Sequence, residues 1–283
     1  MLIYNKGALA FLHVPKNGGK SIRASLDARF TLELGATAAD LGISEEELAA
    51  GYAGGDGIAH PVLGKVKLEH LPLHFWHEHF PQSFAAFRTA RSLVLLRDPR
   101  DRFFSAILQR LGEYHDMKAL RADDPIVTEE ALRVSEWLAA RDAFSDMEYI
   151  HFTRQADYVE LDGERLVTAL FPLEDITAAE AWIAEAMGET VQVSHDHARR
   201  EPKAWAKPIQ PIVRFVGRNL IPAAIKRTIY PLWRSSGAFE DASRRYKTIS
   251  LDPQVEAFID SYYARDGELL AQARGAVSAG LGS

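Results

Sequence analysis

One stretch near the start of the chain constrains the fold more than any other. Residues 8–14 form an apolar run typical of a buried parallel strand, and residues 21–30 carry apolar side chains at helical spacing. Residues 13–21, which join them, read HVPKNGGKS. A loop between a strand and a helix N-terminus binds anions through backbone N–H groups and the helix dipole. The stretch therefore predicts a phosphate-binding loop in an α/β protein.

The alternation of elements extends this prediction. An alternating stretch at 65–70 predicts a second strand, an apolar run at 93–96 predicts another buried strand, and helical patterns surround them. Strands alternating with helices favour a three-layer α/β fold with a mainly parallel central sheet. With no repeat and no clear linker, we expect a single domain over 1–283. The other predicted elements are helices at 75–90, 102–111, 128–144, 177–188 and 253–273, capping boxes at Ser44 and Thr177, a loop at 51–57 and a tight turn at Asp162-Gly163.

A second stretch has the same strand–turn–helix form. Residues 93–108 read LVLLRDPRDRFFSAIL, with Arg97 where the strand ends and Ser105 about two turns later. An arginine and a hydroxyl that converge at the carboxyl end of a strand can form an anion site at the edge where open α/β sheets bind ligands. Two anion sites predict a ligand with two separated phosphates.

Several functions remain open on these residues alone. The kinase-type loop reads G-x-x-x-x-G-K-[ST], and Gly19-Lys20-Ser21 fits its end, but Val14 stands where its first glycine belongs. A nucleotide-dependent kinase with Asp98 near magnesium is one alternative. A non-catalytic nucleotide-binding module is another.

The two stretches together resemble the signature segments of the family 2 sulfotransferases, which use 3′-phosphoadenosine-5′-phosphosulfate (PAPS) as sulfuryl donor. In that family the first segment reads roughly h-P-K-T-[AG]-G-T-[ST] and the second R-[DN]-P-x-x-R-x-x-S. Weaker similarities follow in the family's order: HLPLHF (70–75), RQADYVELDG (154–163), FPLEDI (171–176) and FIDSYYARDGELL (258–270). The resemblance implies a P-loop-NTPase-like sulfotransferase fold.

The resemblance also implies roles for individual residues. Lys16 would stabilise the leaving phosphate, and residues 16–21 (Lys16, Asn17, Gly18, Gly19, Lys20 and Ser21) would hold the 5′-phosphosulfate. Arg97 and Ser105 would hold the 3′-phosphate. Asn17 and Lys20 depart from the family, which most often has threonine at both positions. No metal is expected, because lysine can serve the leaving group.

An acceptor hydroxyl must also lose a proton. His70 matches a histidine that the family often places near the acceptor, and histidine suits this role near neutral pH; Glu69 is the alternate. A histidine satisfied by a backbone carbonyl is an equal alternative. Histidines at 70, 74, 77 and 79 do not predict a metal site, because Pro72 interrupts the helical spacing.

Charge and composition bear on partners and location. The net charge of −6 argues against nucleic acid as a partner, and the absence of cysteine excludes disulfides and thiolate metal sites. No apolar run is long enough to span a bilayer, and the lysine-containing loop begins too early for the N-terminal anchor of the family's animal members. We expect a cytoplasmic, soluble, bacterial-type member. Its acceptor would be a carbohydrate, a lipid headgroup or a small alcohol.

One segment has a distinct composition. Residues 202–239 contain seven basic residues, no acidic residue and several interleaved aromatics. This is typical of a membrane-surface segment or a wall for an anionic acceptor. A segment that packs its apolar side on the core, with solvated basic residues, is the simpler alternative. Peripheral contact with the inner membrane surface is thus one expectation.

Overall fold

A computed structural model describes residues 1–54, 57–115, 124–193, 200–202, 239–241 and 252–280. The chain divides into two compact units, residues 1–195 with 251–283 and residues 196–250. Of the second unit, the described part is two short paired strands. The expectation of a single domain therefore stays a prediction.

The described strands are β1 (Leu2–Tyr4), β2 (Leu9–Leu12), β3 (Ile58–His60), β4 (Gly64–Val66), β5 (Arg91–Leu96), β6 (Glu160–Leu161), β7 (Glu164–Arg165), β8 (Ala169–Pro172), β9 (Arg200–Pro202) and β10 (Phe239–Asp241). The first unit is built on a four-stranded mixed sheet in the order β1-β2-β5-β8. β1 is antiparallel to β2, whereas β2, β5 and β8 are mutually parallel along the sheet. The predicted α/β class with a mostly parallel sheet is confirmed.

The described helices are α1 (Gly19–Asp27), α2 (Gly35–Leu41), α3 (Glu45–Gly54), α4 (Leu73–His79), α5 (Pro81–Thr89), α6 (Pro99–Tyr114), α7 (Pro125–Ala140), α8 (Ile176–Met187), α9 (Pro253–Tyr262) and α10 (Ala264–Ser278). Helices pack on both faces of the four-stranded sheet, because successive strand residues point to opposite sides. Leu12 and Val94 belong to a cluster with residues of α2–α5 and α10, and Phe11 and Leu93 belong to a cluster with residues of α1 and α8.

The strand predicted at 65–70 is confirmed only at 65–66, within β4, and it does not belong to the central sheet. β4 pairs with β3 in a two-stranded ribbon, and Leu68–His70 is a 3₁₀ turn. Its period-2 pattern arises because Lys65 and Lys67 are exposed while Val66 is buried, which suits the outer ribbon. The sheet instead contains β1, which the sequence analysis missed.

Two predicted helices are each divided. The helix predicted at 75–90 breaks after His79, because Pro81 cannot continue a helix and starts α5 instead. The helix predicted at 253–273 breaks at Tyr263, whose buried hydroxyl donates a hydrogen bond to Phe152 O over 2.7 Å. The helices predicted at 102–111 and 128–144 are confirmed as α6 and α7, with shifted ends.

The local signals had mixed outcomes. Ser44 Oγ accepts from Glu47 N over 3.1 Å, and Asp162 and Gly163 form the predicted turn with φ of 52° and 81°. The capping box at Thr177 is wrong, because Asp175 caps α8 by accepting from Ala178 N. The loop predicted at 51–57 is wrong at its start, since α3 continues to Gly54.

The first and last residues of the basic segment 202–239 are opposite each other in a pair of strands. Pro202 lies opposite Phe239 in the antiparallel β9–β10 ribbon. Residues 203–238, on which the membrane-surface prediction depends, lie outside the described residues. Within the part of the chain that is described, helices are too short or too polar to cross a bilayer.

Candidate functional site

The two predicted anion-binding stretches lie side by side at one edge of the sheet. We call residues 13–21 the lysine loop and residues 97–105 the arginine loop. They follow β2 and β5, which are parallel neighbours, so both stretches leave the sheet at its carboxyl edge. Asn17 Nδ2 donates to Leu95 O over 2.6 Å and so ties the first stretch to the strand that precedes the second.

The backbone of the lysine loop requires both of its glycines, for different reasons. Gly18 has φ 71° and ψ 8° as the N-cap of α1, a left-handed conformation that favours glycine. A Cβ on Gly18 would lie 2.8 Å from Leu173 Cδ1. At Gly19 it would lie 2.0 Å from the ring of His13. Lys16 also has a φ of 71°, which is uncommon outside glycine and turns the chain sharply.

The first turn of α1 presents backbone N–H donors, and no acidic acceptor, at the end of the lysine loop. The N–H groups of Gly19 and Lys20 lie where a helix supplies no internal acceptor, while Ser21 N donates to Gly18 O over 3.1 Å. The turn contains no acidic side chain, Lys20 is exposed and Ser21 is half-buried. An anion here would meet the positive end of the helix dipole without a competing carboxylate in that turn.

Lys16 extends from the lysine loop toward α6. Its Nζ donates to Gln109 Oε1 over 2.6 Å. Ser105 lies one turn before Gln109 and is half-buried, so both side chains belong to the same face of α6. The structure therefore places the predicted leaving-group lysine and the predicted 3′-phosphate serine beside the same helix face.

Arg97 joins the two stretches through its guanidinium. Its Nη1 donates to Lys16 O over 3.1 Å, which brings a positive charge beneath the turn at Lys16. Asp98, the acid that a kinase would require for magnesium, caps α6 by accepting from Asp101 N over 3.0 Å. Arg100 pairs with Glu256 on α9 at 2.7 Å. The arginine loop is thus held from both sides.

Gln155 is a site residue that the sequence analysis did not identify. It is fully buried, and its side-chain amide bonds both Asn17 and the backbone of Arg97. Asp266, also fully buried, accepts from Gln155 N and Ala156 N at 2.8 and 2.9 Å. Both residues fall in stretches quoted above as weak similarities, but nothing local in the sequence shows that they meet.

His70 lies near the lysine loop, with its ring beside that of His13. It lies on the 3₁₀ turn after the β3–β4 ribbon, and its carbonyl accepts from Tyr158 Oη over 2.7 Å. Its Nδ1 is shielded from solvent and has no hydrogen-bond partner within the described structure. Burial, with Lys67 a smaller cause, lowers the pKa of His70 to about 3.

His70 belongs to a cluster of three histidine rings. Its ring centroid lies 4.9 Å from that of His13 and 5.7 Å from that of His151, both in edge-on contact. Burial also lowers the pKa of His151 to about 3 and that of His13 below its usual range. The ring of His13 packs directly on Gly19, so the cluster adjoins the lysine loop. These rings are neutral near pH 7.

The other candidates in this region have different neighbours. Glu69, the alternate base, faces Arg23 Nη1 at 3.4 Å. The remaining histidines of 70–79 are dispersed, with His74 beside Phe144 and His77 beside Phe84. Among the described residues, no group of His, Cys, Asp and Glu is arranged to hold a metal ion.

Comparison of the chain with protein-family models, with curated proteins and with solved structures finds no match.

Proposed function

We propose that the chain is a PAPS-dependent sulfotransferase with a P-loop-type sulfotransferase fold, which transfers a sulfuryl group to an acceptor hydroxyl. One observation carries the proposal: two cationic, strand-end stretches are tied together by the hydrogen bond from Arg97 Nη1 to Lys16 O. A ligand that spans both needs two separated anionic groups. Carbohydrate or lipid-headgroup hydroxyls are the preferred acceptor class, with small alcohols as a further option.

The donors present suit such a nucleotide. The N–H groups of the first turn of α1, with Lys20 and Ser21, would hold the 5′-phosphosulfate. Arg97 and Ser105 would hold the 3′-phosphate, since a guanidinium can donate to two phosphate oxygens at once. Lys16 donates to Gln109 Oε1 and so links the lysine loop to α6, the helix that contains Ser105.

The chemistry is a single group transfer. The S–O bond to the 5′-phosphate breaks, an S–O bond to the acceptor oxygen forms, and the bridging electron pair stays on the phosphate. Lys16 would stabilise the charge that grows on that phosphate oxygen, which helps the transition state more than the ground state. The acceptor's proton would pass to His70, with Glu69 as the alternate.

The low pKa of His70 has one cause that a bound donor would change. Burial is the largest cause of the low pKa of His70 and of His13, and the positive charge of Lys20 is a further, smaller cause. An anionic donor beside Lys20 would offset that positive charge, so the proton affinity of His70 would rise when the donor is bound. His70 would thus be a stronger base in the donor-bound complex, in which the acceptor must lose its proton.

The test compares nucleotides by calorimetry. We expect 3′,5′-bisphosphoadenosine to bind without magnesium and at least tenfold more tightly than AMP or ATP, as for an added charge-assisted contact. Equal affinity for AMP would refute the second anion site, and magnesium-dependent ATP binding would support the kinase. Binding without turnover of labelled PAPS across sugar, lipid and alcohol acceptors would support the non-catalytic module.

A further inference from the structure

The side chain of Gln155 is bound to the backbone of the arginine loop at two points. Its Oε1 accepts from Arg97 N over 2.9 Å, and its Nε2 donates to Arg97 O over 2.8 Å. A backbone N–H can only donate and a carbonyl can only accept, so the orientation of this amide is fixed by chemistry. Gln155 therefore pairs with the backbone N–H and C=O of Arg97 in the way that a residue of a neighbouring strand would.

The same oxygen atom of Gln155 also reaches the lysine loop. Asn17 Nδ2 donates to Gln155 Oε1 over 2.6 Å and to Leu95 O over 2.6 Å. Both partners are acceptors, so the Asn17 amide is oriented without ambiguity as well. One buried oxygen thus bonds a residue from each of the two stretches, and a displacement of Gln155 would alter the separation between them.

Gln155 is itself held firmly in place. The carboxylate of Asp266 accepts from two successive backbone N–H groups, those of Gln155 and Ala156. Arg102 lies 3.8 Å from the same carboxylate and donates to Thr153 O over 2.6 Å. Gln155, Asp266 and Arg102 are all at most 1% exposed. Buried, hydrogen-bonded groups of this kind have little freedom to shift.

We propose that Gln155 is a positioning residue that sets the distance between the lysine loop and the arginine loop, so that the protein selects nucleotides phosphorylated at both the 5′ and 3′ positions. This inference rests on the proposed function. Because Gln155 is buried beneath both stretches, it acts through Asn17 and Arg97 and not by touching the ligand. Its contribution should therefore appear as the extra affinity that the second phosphate adds.

The experiment measures that extra affinity directly, as the ratio of the Kd for AMP to the Kd for 3′,5′-bisphosphoadenosine. Gln155→Met keeps the side-chain length but removes all three hydrogen bonds. We expect the ratio to fall about tenfold, while the Kd for AMP changes less than about threefold. Asn17→Leu removes the bonds from Asn17 to Gln155 Oε1 and Leu95 O but leaves both bonds between Gln155 and Arg97. It should lower the ratio in the same direction, which keeps the test decisive if Gln155→Met does not fold.

Tyr263→Phe is the matched control. It also removes one buried hydrogen bond, from Tyr263 Oη to Phe152 O, but it belongs to neither stretch. Its ratio should equal that of the wild-type protein even if its melting temperature falls. If the wild-type ratio is near one, the proposed function and the positioning role both fail. If the wild type prefers the bisphosphate and the Gln155 and Asn17 variants keep that preference, or weaken both nucleotides equally, the positioning role alone is refuted.

Discussion

The two lysines of the lysine loop lie in different surroundings, which predicts different kinetic roles. Lys16 is half-buried beside Gln109, whereas Lys20 is exposed on the first turn of α1. We expect Lys16→Ala to lower kcat by about 10²–10³-fold with little change in donor affinity, as for groups that act in the transition state. Lys20→Ala should mainly raise the donor KM. Steady-state kinetics with PAPS measures both.

Lys65→Ala, at an exposed position of the β3–β4 ribbon, is the control and should leave both constants unchanged. The reverse pattern, with Lys20 controlling kcat and Lys16 only KM, would indicate a kinase-type loop. The role of Asp98 near magnesium would then have to be examined again.

The histidine cluster predicts a loss of stability in mild acid. The folded pKa values of His70 and His151 are about 3, below the usual value of about 6.5. Between these values the unfolded chain binds more protons, so the free energy of unfolding falls as pH decreases from about 6.5 toward 3. Each ring contributes up to about 1.4 kcal/mol per pH unit. Burial is the main cause of both low pKa values, and the positive groups that also oppose protonation are Lys16, Lys20, Lys67, Arg102 and the amino group of Met1.

Urea unfolding between pH 7 and pH 4.5 measures this slope. His70→Asn should flatten it, because one proton-excluding ring is removed. His77→Asn, outside the cluster and beside Phe84, should retain the wild-type slope. Equal slopes for His70→Asn and the wild type would contradict the cluster's role.

The structure explains why this chain has Asn17 where the family 2 sulfotransferases most often have threonine. A threonine hydroxyl carries one proton and is shorter than the amide, so it could not donate to both Leu95 O and Gln155 Oε1. Asparagine here is matched to Gln155, a relation that the sequence alone could not reveal because 138 positions separate the pair.

At the scale of the element, the cap of α6 connects helix stability to ligand binding. Asp98 accepts from Asp101 N, and Asp252 caps α9 in the same way by accepting from Gln254 N. Either change to alanine should cost about 1 kcal/mol of unfolding free energy. Only Asp98→Ala should weaken the bisphosphate, by about threefold to tenfold, because α6 carries Ser105.

Chemical denaturation and calorimetry on the two variants check this prediction together. Asp252→Ala is the matched control, since it removes a comparable cap from α9. If both variants bind the bisphosphate as the wild type does, α6 does not contribute the 3′-phosphate contact. If Asp98→Ala abolishes magnesium-dependent ATP binding instead, the kinase alternative is favoured.

Elements with strong local signals could be predicted, and those set by tertiary contacts could not. β2, α1, β5 and α6 follow from apolar runs and helical spacing, and the structure confirms them. The breaks at Phe80 and Tyr263 depend on proline stereochemistry and on a bond to Phe152, and only the first was visible in the sequence. β1 was missed because its short run is stabilised by pairing with β2.

At the scale of the whole molecule, the sequence located the two loops but not the network that joins them. Lys16, Arg97 and Ser105 could be proposed as site residues from motifs. Gln155 and Asp266 come from distant parts of the chain and meet only when the sheet and α10 are assembled. Such long-range hydrogen bonds leave no periodic or local pattern.

The uneven distribution of charge predicts a salt-dependent membrane contact. The chain carries −6 overall, yet residues 202–239 contain seven basic residues and no acidic one. If they contact anionic lipid, binding to phosphatidylserine vesicles should decrease with salt and vanish when Arg218, Lys226 and Arg227 are changed to Glu. Sedimentation with vesicles measures it. In the control variant, three exposed residues outside the basic segment, Lys6, Lys65 and Arg88, are changed to Glu. This variant should bind the vesicles as the wild type does. No binding at low salt would leave the simpler core-packing alternative.

The β9–β10 ribbon has one more consequence, for protein engineering. Because Pro202 lies opposite Phe239, the chain that runs between them starts and ends at adjacent points about 5 Å apart. A two-residue Asn-Gly turn can close such a gap between antiparallel strands. Replacing residues 203–238 with such a turn would therefore remove all seven basic residues of the segment and keep the pairing of β9 with β10.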